Sequence, residues 1–158
     1  MENIILILFN YLSDFNKMQM LKTCKLFYQL REHIQYTTNL YPYWRIKHLN
    51  FIKNINKIEY VIGVDKETYI PDCITHVRTY HYDTTMEIRI DRYDNIRSLI
   101  FGEYFNESVI IPKNVTNLSF GKYFNQPVII PNKVKYLIFG MYFDQPISGR
   151  VPNSLEYL

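Results

Sequence analysis

The 158-residue sequence contains no alanine, only two cysteines and only five glycines. Cys24 and Cys73 belong to no paired motif, so we expect neither a disulfide framework nor a zinc knuckle, and a reducing compartment is favoured. The glycines form no phosphate-binding or nucleophile motif of the G-x-x-x-x-G-K, G-x-G-x-x-G or G-x-S-x-G type. The four histidines show no metal-ligand spacing. We therefore expect no enzyme activity, no cofactor and no metal.

Long apolar runs and basic runs are also missing. The apolar start, residues 4–9, is too short to span a bilayer and has neither a basic flank nor a small-residue cleavage site. The net charge of +3 is low for a dedicated nucleic-acid binder, and the lysines and arginines form no cluster. The sequence predicts no membrane segment, no nucleic-acid partner and a cytoplasmic location.

The length suits one continuous core with a small helical appendage. Hydrophobic residues make up 47% of the chain, which argues against disorder, and 16% are aromatic. Many of these aromatic residues recur at a regular interval along the chain.

An internal repeat is the strongest signal in the sequence. Gly102, Gly121 and Gly140 recur at intervals of 19 residues. Four further registers share this interval: Leu99, Leu118 and Leu137; Phe101, Phe120 and Phe139; Tyr104, Tyr123 and Tyr142; Phe105, Phe124 and Phe143. Asn106, Asn125 and Asp144 extend the pattern, and Ile-Pro pairs follow at Pro112 and Pro131.

Each repeat predicts one short strand. In VTNLSFG, Leu118 and Phe120 alternate with Ser119, as a half-buried strand requires. Pro131 lacks an N–H group and belongs on the return segment, which is too short for a full helix and should be extended or 3₁₀-like. We expect the phenylalanines Phe105, Phe124 and Phe143 to stack and the Asn106 row to satisfy turn backbone groups.

This pattern, with its phenylalanine, asparagine and later Ile-Pro, resembles the FNIP repeat family over residues 70–158, most clearly over 96–158. FNIP repeats are similar to leucine-rich repeats, which implies one parallel strand per unit and a curved solenoid. The predicted fold class is therefore α+β, with a short helical start followed by this solenoid.

A solenoid buries its repeated positions, so a binding surface should lie at the variable ones. The outward positions of the predicted strands are mixed polar and apolar, which suits a protein partner. They are His76, Arg78, Ser98, Ile100, Asn117, Ser119, Tyr136 and Ile138.

The first 34 residues predict two amphipathic helices, around residues 4–12 and 21–28, with Ser13 or Asp14 as an N-cap between them. The segment LFNYLSDFNKMQMLKTCKLFYQL, residues 8–30, resembles the F-box. F-box proteins dock on a Skp1-type adaptor of a cullin-RING ubiquitin ligase. The residues that the resemblance places at this contact are Ile5, Leu8, Phe9, Leu12 and Leu21.

The two resemblances imply a non-enzymatic adaptor. It would be the substrate-recognition subunit of a Skp1–cullin–F-box ligase, with the FNIP sheet face holding a target protein. The alternative is a stand-alone scaffold or decoy whose helices only cap the solenoid. The same combination is known in amoebae and in large DNA viruses that infect them, which for a viral protein implies the host cytoplasm.

Two further expectations concern the connecting segment and the end of the chain. Residues 35–69 should be a connecting helical segment in which Trp44 is a buried anchor. The sequence stops at Leu158 inside a predicted strand, and such an uncapped end would favour self-association.

Overall fold

A computed structural model of the chain describes residues 2–62, 64–65, 69–79, 90–147 and 151–158. The chain divides into two compact units, Met1–Ile58 and Glu59–Leu158. The predicted boundaries were at 34/35 and 69/70, so the observed division falls inside the segment that was expected to connect the two parts.

The first unit is mostly helical. Its elements are α1 (Glu2–Phe9), α2 (Asp14–Met20), α3 (Lys25–Gln29), the two-residue strand β1 (Tyr41–Pro42), α4 (Tyr43–Ile46) and 3₁₀ turns at Leu30–Glu32 and Ile52–Asn54. The predicted N-cap is confirmed at Ser13, whose hydroxyl accepts a hydrogen bond from the Asn16 N–H at 3.3 Å. An N-cap satisfies one of the backbone donors that the first turn of a helix leaves unpaired.

A buried carboxylate holds the loop after α3 against the start of α2. The Asp14 side chain is completely buried and accepts hydrogen bonds from the backbone N–H groups of Thr37, Thr38 and Asn39 at 3.0 to 3.1 Å. Lys17, one turn later, is also buried and donates to the Gln35 carbonyl at 2.6 Å and to Asp14 at 3.4 Å. One helical turn therefore satisfies three N–H groups and one carbonyl of this loop.

Three local predictions for the first unit were wrong. The second predicted helix is interrupted by a turn around Leu21–Thr23, so α2 and α3 are separate. Trp44 is 48% exposed, because α4 is only one turn long and turns Ile46, not Trp44, into the core. The described residues of the range 35–69 contain little helix, and residues 58–62 form a strand, since this β-branched run favours a sheet.

The second unit contains a parallel sheet. Its strands are β2 (Ile58–Ile62), β3 (His76–Thr79), β4 (Ser98–Ile100), β5 (Asn117–Ser119) and β6 (Tyr136–Ile138), and each pairs with the next. Val77, Leu99, Leu118 and Leu137 lie side by side in the registers of β3 to β6. The predicted one-strand-per-repeat solenoid is confirmed, and its sheet also includes β2, which was not predicted.

Two columns of phenylalanine rings fill the interior of the clear repeats. Phe101, Phe120 and Phe139 stack with centroids 5.1 and 5.5 Å apart. The second column, the predicted one, consists of Phe105, Phe124 and Phe143 at 6.0 Å intervals. Within the described residues, the return segments from β4 to β6 contain no helix, and the one before β4 contains only a 3₁₀ turn at Ile90–Arg92, as the repeat length required.

Neighbouring coils approach closely at the repeated glycines. A Cβ added to Gly121 would overlap the Gly102 carbonyl oxygen and lie 2.7 Å from the Glu103 Cα; Gly140 stands in the same relation to Gly121. Beside this contact, the Asn106 side-chain oxygen accepts from the Asn125 N–H at 2.8 Å, and Asn125 accepts from the Asp144 N–H at 2.9 Å. The predicted asparagine ladder is thus confirmed.

Replacing Asp14 by alanine should lower the stability of the first unit by about 3 kcal/mol, because three backbone N–H groups lose their acceptor and the buried Lys17 loses its carboxylate partner. Burial by itself would raise the pKa of Asp14, but the hydrogen bonds from Asn39, Thr38 and Thr37 hold that pKa below its usual value. The contribution of Asp14 is therefore fully present above the ordinary aspartate pKa and is lost as pH falls through the lowered folded pKa.

The measurement is hydrogen exchange of the Thr37 to Asn39 amides, together with denaturation followed by helical circular dichroism at several pH values. Exchange in Asp14→Ala as slow as in the wild type would contradict this role. Asp72→Ala, at an exposed position in the second unit, is the matched control.

Gly121→Ala should destabilise the solenoid by at least about 2 kcal/mol, because the added methyl group must push two backbones apart. The measurement is urea unfolding of the full chain. Ser108→Ala, at an exposed position, should change the free energy of unfolding by less than about 0.5 kcal/mol. Equal stability of the two variants would show that the coils do not meet at Gly121.

Candidate protein-binding surfaces

The eight outward residues predicted on the strands form two rows across the sheet. The pairing registers align His76, Ser98, Asn117 and Tyr136 in one row and Arg78, Ile100, Ser119 and Ile138 in the other. Between the two rows lie the repeated core residues, whose side chains are buried on the opposite face of the sheet. All eight are at least partly exposed. The structure therefore brings these residues together on one face of the sheet.

The chemistry of this sheet face changes along its length. At the β2–β3 end, Arg78 donates to the Glu59 carboxylate at 2.9 Å, and the His76 ring lies 2.9 Å from the Thr75 hydroxyl. At the β6 end, Ile138 is 60% exposed and the Tyr136 ring stacks on Tyr157 at 5.2 Å. A partner would meet polar and charged groups at one end and apolar surface at the other.

An ion pair borders the apolar end. Lys135 donates to the Glu156 carboxylate at 2.8 Å. This hydrogen bond raises the pKa of Lys135 and lowers the pKa of Glu156, so both groups stay charged over a wide pH range. Because both side chains are exposed, the ion pair contributes little to stability. Its main effect is to make this edge of the sheet face polar.

The five residues that the F-box resemblance places at an adaptor contact do not share one environment. Leu8 is 59% exposed, and Ile5 and Leu12 are half-buried. Phe9 and Leu21 are buried in the first unit, and the Phe9 ring meets Phe27 edge to face at 5.7 Å. In this conformation Phe9 and Leu21 support the helices and present almost no surface to a partner.

Three exposed apolar residues near Leu8 were missed from the sequence. Ile7 is 57% exposed, Tyr11 84% and Phe15 63%. They lie at the end of α1, in the following turn and at the start of α2. The break in the helical pattern at Ser13 was the sequence signal that could have indicated these exposed residues, because such a break changes which side chains face outward. We call Ile7, Leu8, Tyr11 and Phe15 the α1–α2 apolar surface.

Other kinds of site are not found in the part of the chain that the structure describes. No group of three or more histidines, cysteines, aspartates or glutamates there could hold a metal ion. Within the same ranges, no helix is long and apolar enough to cross a membrane.

The fold has a relative among solved structures. It is similar to the crystal structure of CroV588, described as a circular leucine-rich-repeat protein, with a TM-score of 0.53 and 26% identity over 65% of this chain and 17% of the other. Together with the parallel sheet and its stacked coils, this similarity defines a leucine-rich-repeat-like solenoid, a class of protein that presents extended surfaces for binding.

The repeat model identifies the family. The FNIP repeat model matches residues 68–123, 107–130 and 124–158, which together cover more than half of the chain. The chain therefore belongs to the FNIP repeat family, as the 19-residue registers predicted.

Two relatives come from Acanthamoeba polyphaga mimivirus. R286, named as an F-box and FNIP repeat-containing protein, is 31% identical over 111 residues, 68% of this chain and 33% of R286. L165, named as an F-box protein, is 33% identical over 76 residues, 48% of this chain and 27% of L165. The match thus spans about a third or less of each relative.

The sheet face and the core beneath it should respond differently to substitution. Leu137→Ala should cost about 2 to 5 kcal/mol because this side chain is only 1% exposed. Ile138→Ser, at the next position on the same strand, should change the free energy of unfolding by less than about 0.5 kcal/mol. Urea unfolding of both variants makes the comparison; a large loss in Ile138→Ser would mean that this residue is structural.

Proposed function

We propose that this chain is a substrate-recognition subunit of a Skp1–cullin–F-box ubiquitin ligase. The α1–α2 apolar surface binds a Skp1-type adaptor, and the sheet face binds the protein to be modified. The observation that carries the proposal is the α1–α2 apolar surface, because several exposed large apolar side chains within one short helical stretch are typical of a protein interface. The names of the mimivirus relatives support the same role.

The arrangement suits an adaptor with two binding partners because its surfaces belong to different compact units. The α1–α2 apolar surface lies in Met1–Ile58, and the two rows of the sheet face lie in Glu59–Leu158. The sheet face is mixed in polarity, as expected of a surface that binds and releases a target. Each surface can therefore be altered without touching the core of the other unit.

A stand-alone binding scaffold is the second candidate. The burial of Phe9 and Leu21 favours it, because two of the five residues assigned to the adaptor contact already have an internal role. In this reading the sheet face still binds a target, and the first unit has no ligase partner.

Titration of the full chain with purified Skp1 decides between the two. Binding to the wild-type chain, weakened at least about tenfold by Leu8→Asp or Tyr11→Ala, would support the ligase role, since exposed apolar anchors dominate such interfaces. Ile138→Asp, on the sheet face, is the matched control and should bind Skp1 as the wild type does. Failure of the wild-type chain to bind Skp1 would overturn the ligase role and leave the scaffold.

A further inference from the structure

One edge of the solenoid collects basic side chains that are far apart in the sequence. Arg97, Lys113 and Lys133 lie in the segments that lead into β4, β5 and β6. Because these strands are parallel neighbours, the stacked coils bring the three residues to the same edge of the sheet. All three are exposed, the Lys113 side chain by 73%. We call them the basic edge.

A continuous set of contacts joins the three cations. The Asp94 carboxylate binds the Lys113 ammonium at 2.9 Å, and the Asp94 carbonyl oxygen accepts from the Arg97 guanidinium at 2.6 Å. The same carbonyl accepts from the Asn114 side-chain amide at 3.0 Å. The Asn114 side-chain oxygen in turn accepts from the Lys133 ammonium at 2.6 Å. The cations are therefore positioned by the fold before any partner binds, which lowers the entropy cost of binding.

The cations of the basic edge outnumber its carboxylates. Asp94 neutralises only Lys113. Arg97 donates to the backbone carbonyls of Asp94 and Ile96, and Lys133 donates to a neutral amide. Within the part of the chain that the structure describes, neither Arg97 nor Lys133 forms an ion pair. The charge of both residues is therefore available to an anionic partner.

We propose that the basic edge binds an acidic segment of a partner protein, whose aspartate or glutamate side chains pair with Arg97 and Lys133. Guanidinium and ammonium groups form short, charge-assisted hydrogen bonds with carboxylates. Arg97 directly precedes Ser98, which lies in the first row of the sheet face. An acidic segment bound here can therefore belong to the same partner that covers the sheet face.

Separate carboxylates fit this edge better than the backbone of a nucleic acid. Arg97 and Lys133 lie in different coils, and the contacts that join them pass through Asp94. A continuous row of phosphates would bring negative charge against the Asp94 carboxylate, which repels it. An extended peptide places every second side chain on one face, so its carboxylates can be spaced on either side of Asp94.

The basic edge contains no residue of the α1–α2 apolar surface, and the inference holds for a ligase subunit and for a stand-alone scaffold. Loss of Skp1 binding would leave it intact. Failure of the test below would leave the outcome of the Skp1 titration unchanged.

The test compares two labelled peptides that differ only in charge. One alternates glycine with aspartate, and the other replaces every aspartate by asparagine. Fluorescence anisotropy with the full wild-type chain at low salt should show the aspartate peptide binding at least about threefold more tightly, with the difference shrinking as salt is added. Equal affinity for the two peptides would overturn the proposal.

Two double variants of equal charge then locate the binding. Arg97→Gln with Lys133→Gln should weaken aspartate-peptide binding about threefold to tenfold, because each lost pair is an exposed one. Lys22→Gln with Lys25→Gln, at exposed positions in the first unit, is the matched control and should weaken it less than about twofold. An equal loss in both double variants, with both folded by circular dichroism, would assign the binding to net charge and overturn the site.

A variant of opposite sign completes the test. Asp94→Asn should tighten aspartate-peptide binding about twofold to threefold, because it releases Lys113 from its ion pair. Glu107→Gln, which removes the same charge at an exposed position outside the basic edge, should have a smaller effect. Binding that is weakened by Asp94→Asn would contradict the proposal.

A nucleic-acid partner is the remaining outcome to be tested. A thymidine oligonucleotide with the same number of charges as the aspartate peptide should bind the wild-type chain more weakly than that peptide. Tighter oligonucleotide binding that is lost in the Arg97→Gln, Lys133→Gln double variant would assign the basic edge to nucleic acid and overturn the proposal.

Discussion

The close approach of successive coils at the glycines is the constraint on which the solenoid depends. At Gly121 and Gly140 the backbone of one coil lies where a Cβ would overlap the carbonyl oxygen of the coil before. This contact fixes the distance between coils. At that distance, side chains at equivalent positions of successive coils contact one another. The phenylalanine columns, the stacked rings of Tyr104, Tyr123 and Tyr142 and the asparagine ladder all follow from that one spacing.

A structure of this kind separates the residues that hold it together from those that can act on other molecules. Residues at the repeated positions take part in ring stacking or backbone pairing, so a substitution at any of them affects two neighbouring coils. Strand positions on either side of the buried core residues are at least partly exposed and vary from coil to coil, from Arg78 to Ile138. Binding chemistry can change along the sheet face without affecting how the coils stack.

The first unit is stabilised in a different way. It has no repeat, and its loop is held by a single buried aspartate with its lysine. This interaction could not be predicted from local pattern, because Asp14 bonds to residues more than twenty positions away and looks in the sequence like an ordinary helix cap. The predicted burial of Trp44 was wrong for a related reason. A bulky aromatic residue is usually buried, but the length and direction of α4 decide where its side chain points.

The sequence by itself determined the repeat, the position of each strand from β3 to β6, the outward rows and the stacking of Phe105, Phe124 and Phe143. It could do so because each coil repeats the same local pattern, at a step of 22 residues from Val77 to Leu99 and of 19 residues from Leu99 to Leu118 and Leu137, so one strand assignment locates the next. Only the tertiary structure decided that β2 joins the sheet, since the frame position that is aliphatic in later coils is Lys57 there. It also decided that Ile7, Tyr11 and Phe15 face outward while Phe9 and Leu21 are buried. In a segment without repeats, exposure depends on contacts between distant residues, which no local pattern records.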